Sequence, residues 1–434
     1  MFDRSLVTKE RLDELRLIRQ NAIREHFAAA GDKLGAETAK ALEELYSIYD
    51  DGMLLWYAGL WDPEIGAFYY SESARDVEGF LPDIESTVQA RRALSTSGIT
   101  SAATAYPECN SIFKDMLNKM AAYAISLQDE DGFFYHPQWG KNIGVSRRGR
   151  DLSWATGIIN ENGGKYRYPT PLEKKNDGPS LLPEHLRSIE AFREYLDGLD
   201  LRGSSYSVGN LIQSQNLQIT AAGDEFLNEL FGWYERNQYP ENGTWKSTVD
   251  YGATNGQMKV SLMYAAHPRK FPNADAAFDT AVKVVLLNDL NASITSFYNP
   301  WITISFLIGN VEKFDGKDAA DRMRAKLLEN APEMIRMTKR KIERFKQPDG
   351  GFAYFTTGSS AQSQGAPVAM PEAREGDVNG NGLSSTGAMR SLCAALGIDM
   401  IPFFTKEDGK LFFELIASSY QAKKITPDEY KSKK

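Results

Sequence analysis

The chain of 434 residues is poor in cysteine and histidine, with two of the first and four of the second. Cys109 and Cys393 supply neither a disulfide framework nor a metal-ligand spacing, and each lies beside a helical pattern where a buried thiol is the usual outcome. A basic excess is also missing. The net charge of −8 leaves no basic footprint for phosphate, so nucleic acid is excluded as the partner. No apolar run reaches 18 residues, which excludes a helical membrane span. The first residues, from Met1 to Arg11, lack the apolar core of a secretory leader. The expected location is cytoplasmic, or periplasmic or secreted if a leader has been removed. No Pro/Gly/Ser-rich linker cuts the chain, so residues 1–434 are expected to form a single domain.

Apolar and charged shares of 42% and 25% are those of a soluble globular protein, and the aromatic share of 11% is rich. Much of that aromatic content falls in four tips that repeat one pattern: Trp61, Gly66, Phe68 and Tyr70; Gln128, Gly132, Phe133 and Tyr135; Gln238, Gly243 and Trp245; Gln347, Gly351, Phe352 and Tyr354. The marked glycines are separated by 66, 111 and 108 residues. The last two intervals are close to twice about 55 residues, roughly one helical hairpin with its loops, so the chain reads as an array of similar units.

The intervening sequence is helical by periodicity and caps, over 7–30, 35–49, 84–96, 109–127, 183–198, 208–222, 224–236, 255–267, 274–288, 298–312, 317–345, 385–396 and 406–421. Strand signals are confined to the tips. The class is all-α, and two concentric layers in an (α/α)6 toroid of helical hairpins, with seven as the variant, fit the alternation of short and long loops. Residues 257–266 and 298–310, apolar nearly all round, read as inner, and the charged stretch 317–345 reads as outer. The competing architecture is an open solenoid. Irregular segments at 71–83, 136–181, 246–254 and 356–383 are long enough to carry function and are expected on one face, around a central funnel.

The tips, the helical pairing and the size resemble the (α/α) toroid proteins: terpenoid-cyclase-like chains, six-hairpin glycosidases, sugar epimerases and several polysaccharide lyase families. The Asp-rich ionisation motif of the terpenoid cyclases is missing. The epimerases depend on histidines, and this chain has only His26, His136, His185 and His267. The resemblance therefore implies a carbohydrate-active enzyme.

Candidate site residues cluster where loops enter apolar helices: Asp83 and Glu85; Asp250, Tyr251 and Asn255; Tyr298 and Asn299; and Asp377, Asn379 and Asn381. Each is also an ordinary helix-capping type. The stretch 136–155 holds Trp139, Arg147, Arg148, Arg150 and Trp154. Guanidinium groups grip carboxylates in two-point fashion and indoles offer flat apolar faces, which suits an acidic sugar. Gln215 and Asn216 add amides for sugar hydroxyls. β-Elimination from a uronic acid needs a neutraliser for the carboxylate, a base for the C5 proton and an acid for the leaving oxygen.

Residue types for all three are present. Tyr298 is expected to shuttle the proton, with Tyr251 beside it, and Asn255 with His185 to position or neutralise the carboxylate. Arg147, Arg148, Trp139, Trp154, Gln215, Asn216 and Asn299 are expected to bind the sugars of an acidic oligo- or polysaccharide. The alternative is a glycoside hydrolase using Asp83 or Glu85 with Asp250, and a third reading is a non-catalytic helical scaffold. No cofactor or metal is expected. The run from Asp377 to Gly382 resembles the start of a calcium loop, but Ala388 stands where the bidentate Glu belongs.

Overall fold

The computed structural model of the protein describes residues 1–172 and 182–432. The 173–181 part of the expected 136–181 loop lies outside the described residues. The described chain is all-α, and its sheets are two short antiparallel pairs, Trp61–Asp62 with Ala67–Phe68 and Gln362–Ser363 with Ala366–Pro367. Among the described residues, no helix is long and apolar enough to cross a membrane.

Side-chain caps fix the starts of the helices that matter most. Asp83 accepts from the Ser86 N–H at 3.1 Å and opens Ile84–Thr96. Asp250 does the same for Tyr251–Ala266 through Ala253 at 2.8 Å, and Asp377 for Val378–Gly382 through Gly380 at 2.7 Å. Each satisfies an amide that the first turn leaves without a partner.

Six helical runs form a closed circuit of neighbours. Ile84–Thr96 touches Val145–Glu161, which touches Ser205–Ser214, then Tyr251–Ala266, then Thr295–Asp315. Thr295–Asp315 meets Ala388–Leu396, which continues the Val378–Gly382 helix, and that helix returns to Ile84–Thr96. Further helices pack outside individual members: Pro107–Ser126 on Val145–Glu161, Ala274–Leu286 on Thr295–Asp315, and Lys317–Leu328 on both Thr295–Asp315 and Ala388–Leu396. Burial follows the same division. Tyr251–Ala266 is buried on nearly all sides, whereas Ala331–Ile342 buries the stripe Ala331, Met334, Ile335, Thr338 and Ile342.

The structure differs from the sequence expectation at several points. The stretch 136–155 is not one irregular loop, because Val145–Glu161 is a helix with Leu152, Ala155, Ile158 and Ile159 as its buried stripe. Three arginines and two glycines mask that stripe in the sequence, yet Gly149 is what lets the helix approach its neighbour: a Cβ there would lie 2.3 Å from the Ser214 carbonyl oxygen. The expected helix 317–345 breaks before Ala331, where Pro332 sits in a new first turn. The expected helix 208–222 breaks at Gln215. Asp51–Gly59 is an additional helix, almost wholly buried.

The aromatic tips are structural plugs. Phe68, Phe134, Trp245 and Phe352 are fully buried. Short bridges close three of the tips, Gln128 with Phe134, Tyr239 with Thr244 and Lys346 with Phe352. An Asx turn recurs in each of those three: Asp131 accepts from Phe133 N–H, Asn242 from Thr244 and Asp349 from Gly351, all at 3.0 Å. Gln128 and Gln238 are buried and donate to the Gly132 and Gly243 carbonyls, which explains the repeated Gln. In the last tip the left-handed residue is Gly350 (φ 93°), and a Cβ on it would lie 2.6 Å from the Gly52 Cα. Gly350→Ala is therefore expected to lower stability by about 1–3 kcal/mol, the scale of a strained backbone residue. Gly79→Ala, also at positive φ (89°) but facing open space, is expected to cost less. Thermal unfolding of the two variants checks the difference.

Candidate functional site: a cationic cavity lined by six helices

All six runs of the circuit contribute to one cavity of about 780 Å³. Its charged lining is one-sided, with Arg92, Arg150, Lys259 and Arg390 against Glu85 alone. Aromatic faces come from Trp154, Tyr206, Tyr298, Phe306 and Tyr354, and amides from Gln89, Gln213, Asn216, Asn299, Gln364 and Asn379.

The one carboxylate is already engaged. Arg147 is fully buried and donates to Glu85 at 3.1 Å, to Asp83 at 2.8 Å and to both oxygens of Asp151 at 3.0 Å. Ser363 donates to Glu85 at 2.6 Å, and Arg150 reaches its other oxygen at 3.4 Å. The Trp139 ring covers Arg147 at 4.9 Å and stacks on His136. This cluster ties Ile84–Thr96 to Val145–Glu161 and to the 362–367 hairpin. The guanidinium occupies the point between the three acids where a cation would otherwise sit. Burial pushes Asp151 up to about 7, with Asp83 and Glu85 pushing the same way and Arg147 pulling back. Burial also acts on Asp83, but Arg147, Ser86 and His136 outweigh it and hold that carboxyl below its usual range.

Several expected site residues therefore lie elsewhere. Arg147 and Asp83 belong to the buried cluster and Trp139 covers it, so none of the three lines the cavity. Arg148 lies over the Phe133 ring at 5.1 Å. Asp250 caps its helix and accepts from Thr248, with 44% of its side chain exposed, and it is not in the lining that holds Glu85. Tyr251 donates to the Asp289 carbonyl at 2.8 Å. His185 stacks on Tyr195 and meets Gln215 Oε1 at 2.8 Å, and Gln215 also donates to Tyr195; neither lines the cavity. None of the four histidines is in the lining.

The cavity does gather Tyr298, Asn299, Trp154, Asn216 and Glu85. Asn255 stands directly behind, accepting from Asn299 Nδ2 at 2.9 Å, while the fully buried Asn299 Oδ1 has no hydrogen-bond partner among the described residues. Tyr298 presses on Gly387, where a Cβ would lie 2.7 Å from its ring. Gly387 closes a π-helical stretch, Leu383–Gly387, in the cavity wall; such bulges recur at functional sites. Arg92 and Arg390 face the cavity without an ion pair or hydrogen bond to any described residue, near enough for each to act on the Tyr298 phenol.

Sequence reasoning missed Arg92, Arg390, Lys259, Tyr206 and Tyr354. Arg92 and Arg390 sit in helices whose extents were read correctly, but nothing local marks which surface cation turns inward. Lys259, inside an otherwise apolar helix, was the one legible signal.

The buried cluster makes stability depend on pH. Asp151 holds its proton in the folded state at pH values where the unfolded chain has released it, so its contribution is present below the unfolded value and is lost as pH rises toward about 7. Asp151→Asn removes that loss. Its stability relative to the parent is expected to improve as pH rises from about 4 to 7, measured by chemical unfolding at each pH. Arg147→Met, which strands three acids, is expected to cost about 3–5 kcal/mol at neutral pH. Comparison with protein-family models, curated proteins and solved structures found no match for this chain.

Proposed function

We propose that the protein is an (α/α)6 toroid whose central cavity binds an acidic oligo- or polysaccharide and cleaves it by β-elimination at a uronic acid. The closed circuit of six helices, with further helices packed outside individual members, supports the toroid over an open solenoid. The observation that carries the function is the charge of the cavity: three arginines, Arg92, Arg150 and Arg390, and one engaged carboxylate, in a protein of net charge −8. A neutral sugar does not call for that excess, whereas a chain bearing a carboxylate on each residue does.

The same lining argues against the hydrolase reading, which needs two carboxyl groups across the scissile bond. Elimination needs neutralisation of the carboxylate, and Arg92 and Arg390, which make no ion pair with any described residue and lie near Tyr298, suit it. They replace Asn255 and His185 in that role. Burial pushes the Tyr298 phenol up to about 12, with Arg390 and Arg92 pulling it back. At neutral pH it keeps its proton, which suits an acid that protonates the leaving oxygen. Trp154, with Arg150 over its ring at 5.4 Å, offers a face for a neighbouring sugar. No cofactor is required.

A panel of uronic-acid polysaccharides, followed by the ultraviolet absorbance of the C4–C5 double bond, tests the reaction class. Cleavage without that chromophore would establish a hydrolase, and no cleavage of any glycan would favour a scaffold. On a productive substrate, Tyr298→Phe is expected to lower kcat by about 10²–10⁴-fold, the scale of a lost acid–base group. Arg92→Ala and Arg390→Ala are expected to lower kcat as well as raise KM, because the neutraliser acts on the charge that develops in the transition state.

A further inference from the structure

Three proton-handling groups line the cavity besides Tyr298: Lys259, Tyr206 and Tyr354. Lys259 projects from Tyr251–Ala266, one turn after Asn255. It is only 7% exposed, and its amine makes no hydrogen bond or ion pair with any described residue. The amine instead sits over the Tyr206 ring at 5.5 Å. Room for it comes from Gly209 on the adjacent helix, where a Cβ would lie 2.8 Å from the Lys259 Cβ. A lysine serving stability would reach a carboxylate or a carbonyl, as Lys341 does with the Val285 carbonyl at 2.7 Å.

We infer that the Lys259 amine is the base that takes the C5 proton of the uronic acid. The inference rests on the eliminase reading of this cavity and supplies the group that reading lacks. Glu85 cannot serve, because Arg147, Arg150 and Ser363 hold both its oxygens. Tyr206 and Tyr354 are phenols whose side chains interact, and burial and that contact raise Tyr206, so it is a poor proton acceptor. Burial pushes Lys259 well down and the nearby Arg150 guanidinium adds to it, while Glu85 opposes. Both effects act against the ammonium and so favour the amine with a lone pair available.

The step balances. The amine accepts the C5 proton and becomes an ammonium, and the C5–H pair forms the C4–C5 double bond. The C4–O bond breaks, and Tyr298 gives its phenolic proton to the departing oxygen. The ammonium then returns a proton through solvent to the phenolate, so no oxidant or co-reactant is consumed.

Two measurements test the proposal separately from the reading it rests on. In protein labelled with [13C,15N]lysine, the Lys259 signal is identified by its loss in Lys259→Met. It is expected to move to the neutral-amine position at a pH where the surface lysines remain charged, and no substrate is needed for this. If it titrates with the surface lysines, the proposal falls whatever the enzyme turns over. On a substrate that yields the unsaturated product, Lys259→Met and Lys259→Arg are each expected to lower kcat by about 10²–10⁴-fold. Lys259→Met should leave the melting temperature unchanged or higher, because it removes a buried amine without an acceptor. Turnover within a few-fold of the parent in either variant overturns the proposal and leaves the eliminase reading standing. A parent that cleaves no acidic glycan, with a low-titrating Lys259, sinks the eliminase reading and with it the C5 assignment.

Discussion

The arrangement depends on Arg147 and the three carboxylates it holds. The guanidinium is fully buried, and its donors go to Asp83, Glu85 and Asp151, with a longer contact to the Ser363 carbonyl. A buried ion cluster is weak evidence for added stability, because desolvation consumes much of the Coulomb gain. Its effect here is positional. It fixes the angle between Ile84–Thr96 and Val145–Glu161, and it seats the 362–367 hairpin through Ser363. The hairpin turn has both central residues at positive φ, Gln364 (52°) and Gly365 (82°). A glutamine there is strained, and its amide oxygen accepts from Asn210 at the cavity wall.

That cluster also decides the sign of the cavity. With Glu85 committed to Arg147, Arg150 and Ser363, no free carboxylate is left in the described lining, so Arg92 and Arg390 face the cavity without an ion pair to any described residue. Repulsion between them is tolerable only where water or an anion enters. Burial pushes Arg92 down and Glu161 opposes it, while Arg91 and Arg390 add to the lowering. The protein as a whole repels a polyanion at long range, but salt screens this beyond about 8–10 Å, so local cavity charge governs binding.

Most of the architecture was legible because its signals are local. Apolar stripes and caps gave Ile84–Thr96 in full and most other helices to within a few residues. The Val145–Glu161 helix was hidden because its inner face carries arginines, which look like a solvated loop until Asp83 and Glu85 are placed opposite them. Site legibility was poorer for the same reason. Asp83, Arg147 and Trp139 have the residue types of a sugar site, but they satisfy one another, and only three-dimensional proximity reveals it. Tyr298 was found because it was expected to open an apolar helix, which begins at Thr295, and Asn216, Asn299 and Trp154 also reach the cavity. Sequence cannot tell a guanidinium that faces an acid from one that faces a void.

The pairing of Tyr298 with Lys259 follows from one property of burial. Removing water penalises charge of either sign, so it raises a phenol and lowers an amine. The same low-dielectric wall therefore favours the neutral form of both groups, one with a proton to give and the other with a lone pair to receive one. Carboxylate pairs reach that division by unequal environments. A tyrosine and a lysine reach it in a shared environment, with no acid needed. That outcome suits a cavity built for anions, because a catalytic carboxylate would repel the substrate that the arginines attract.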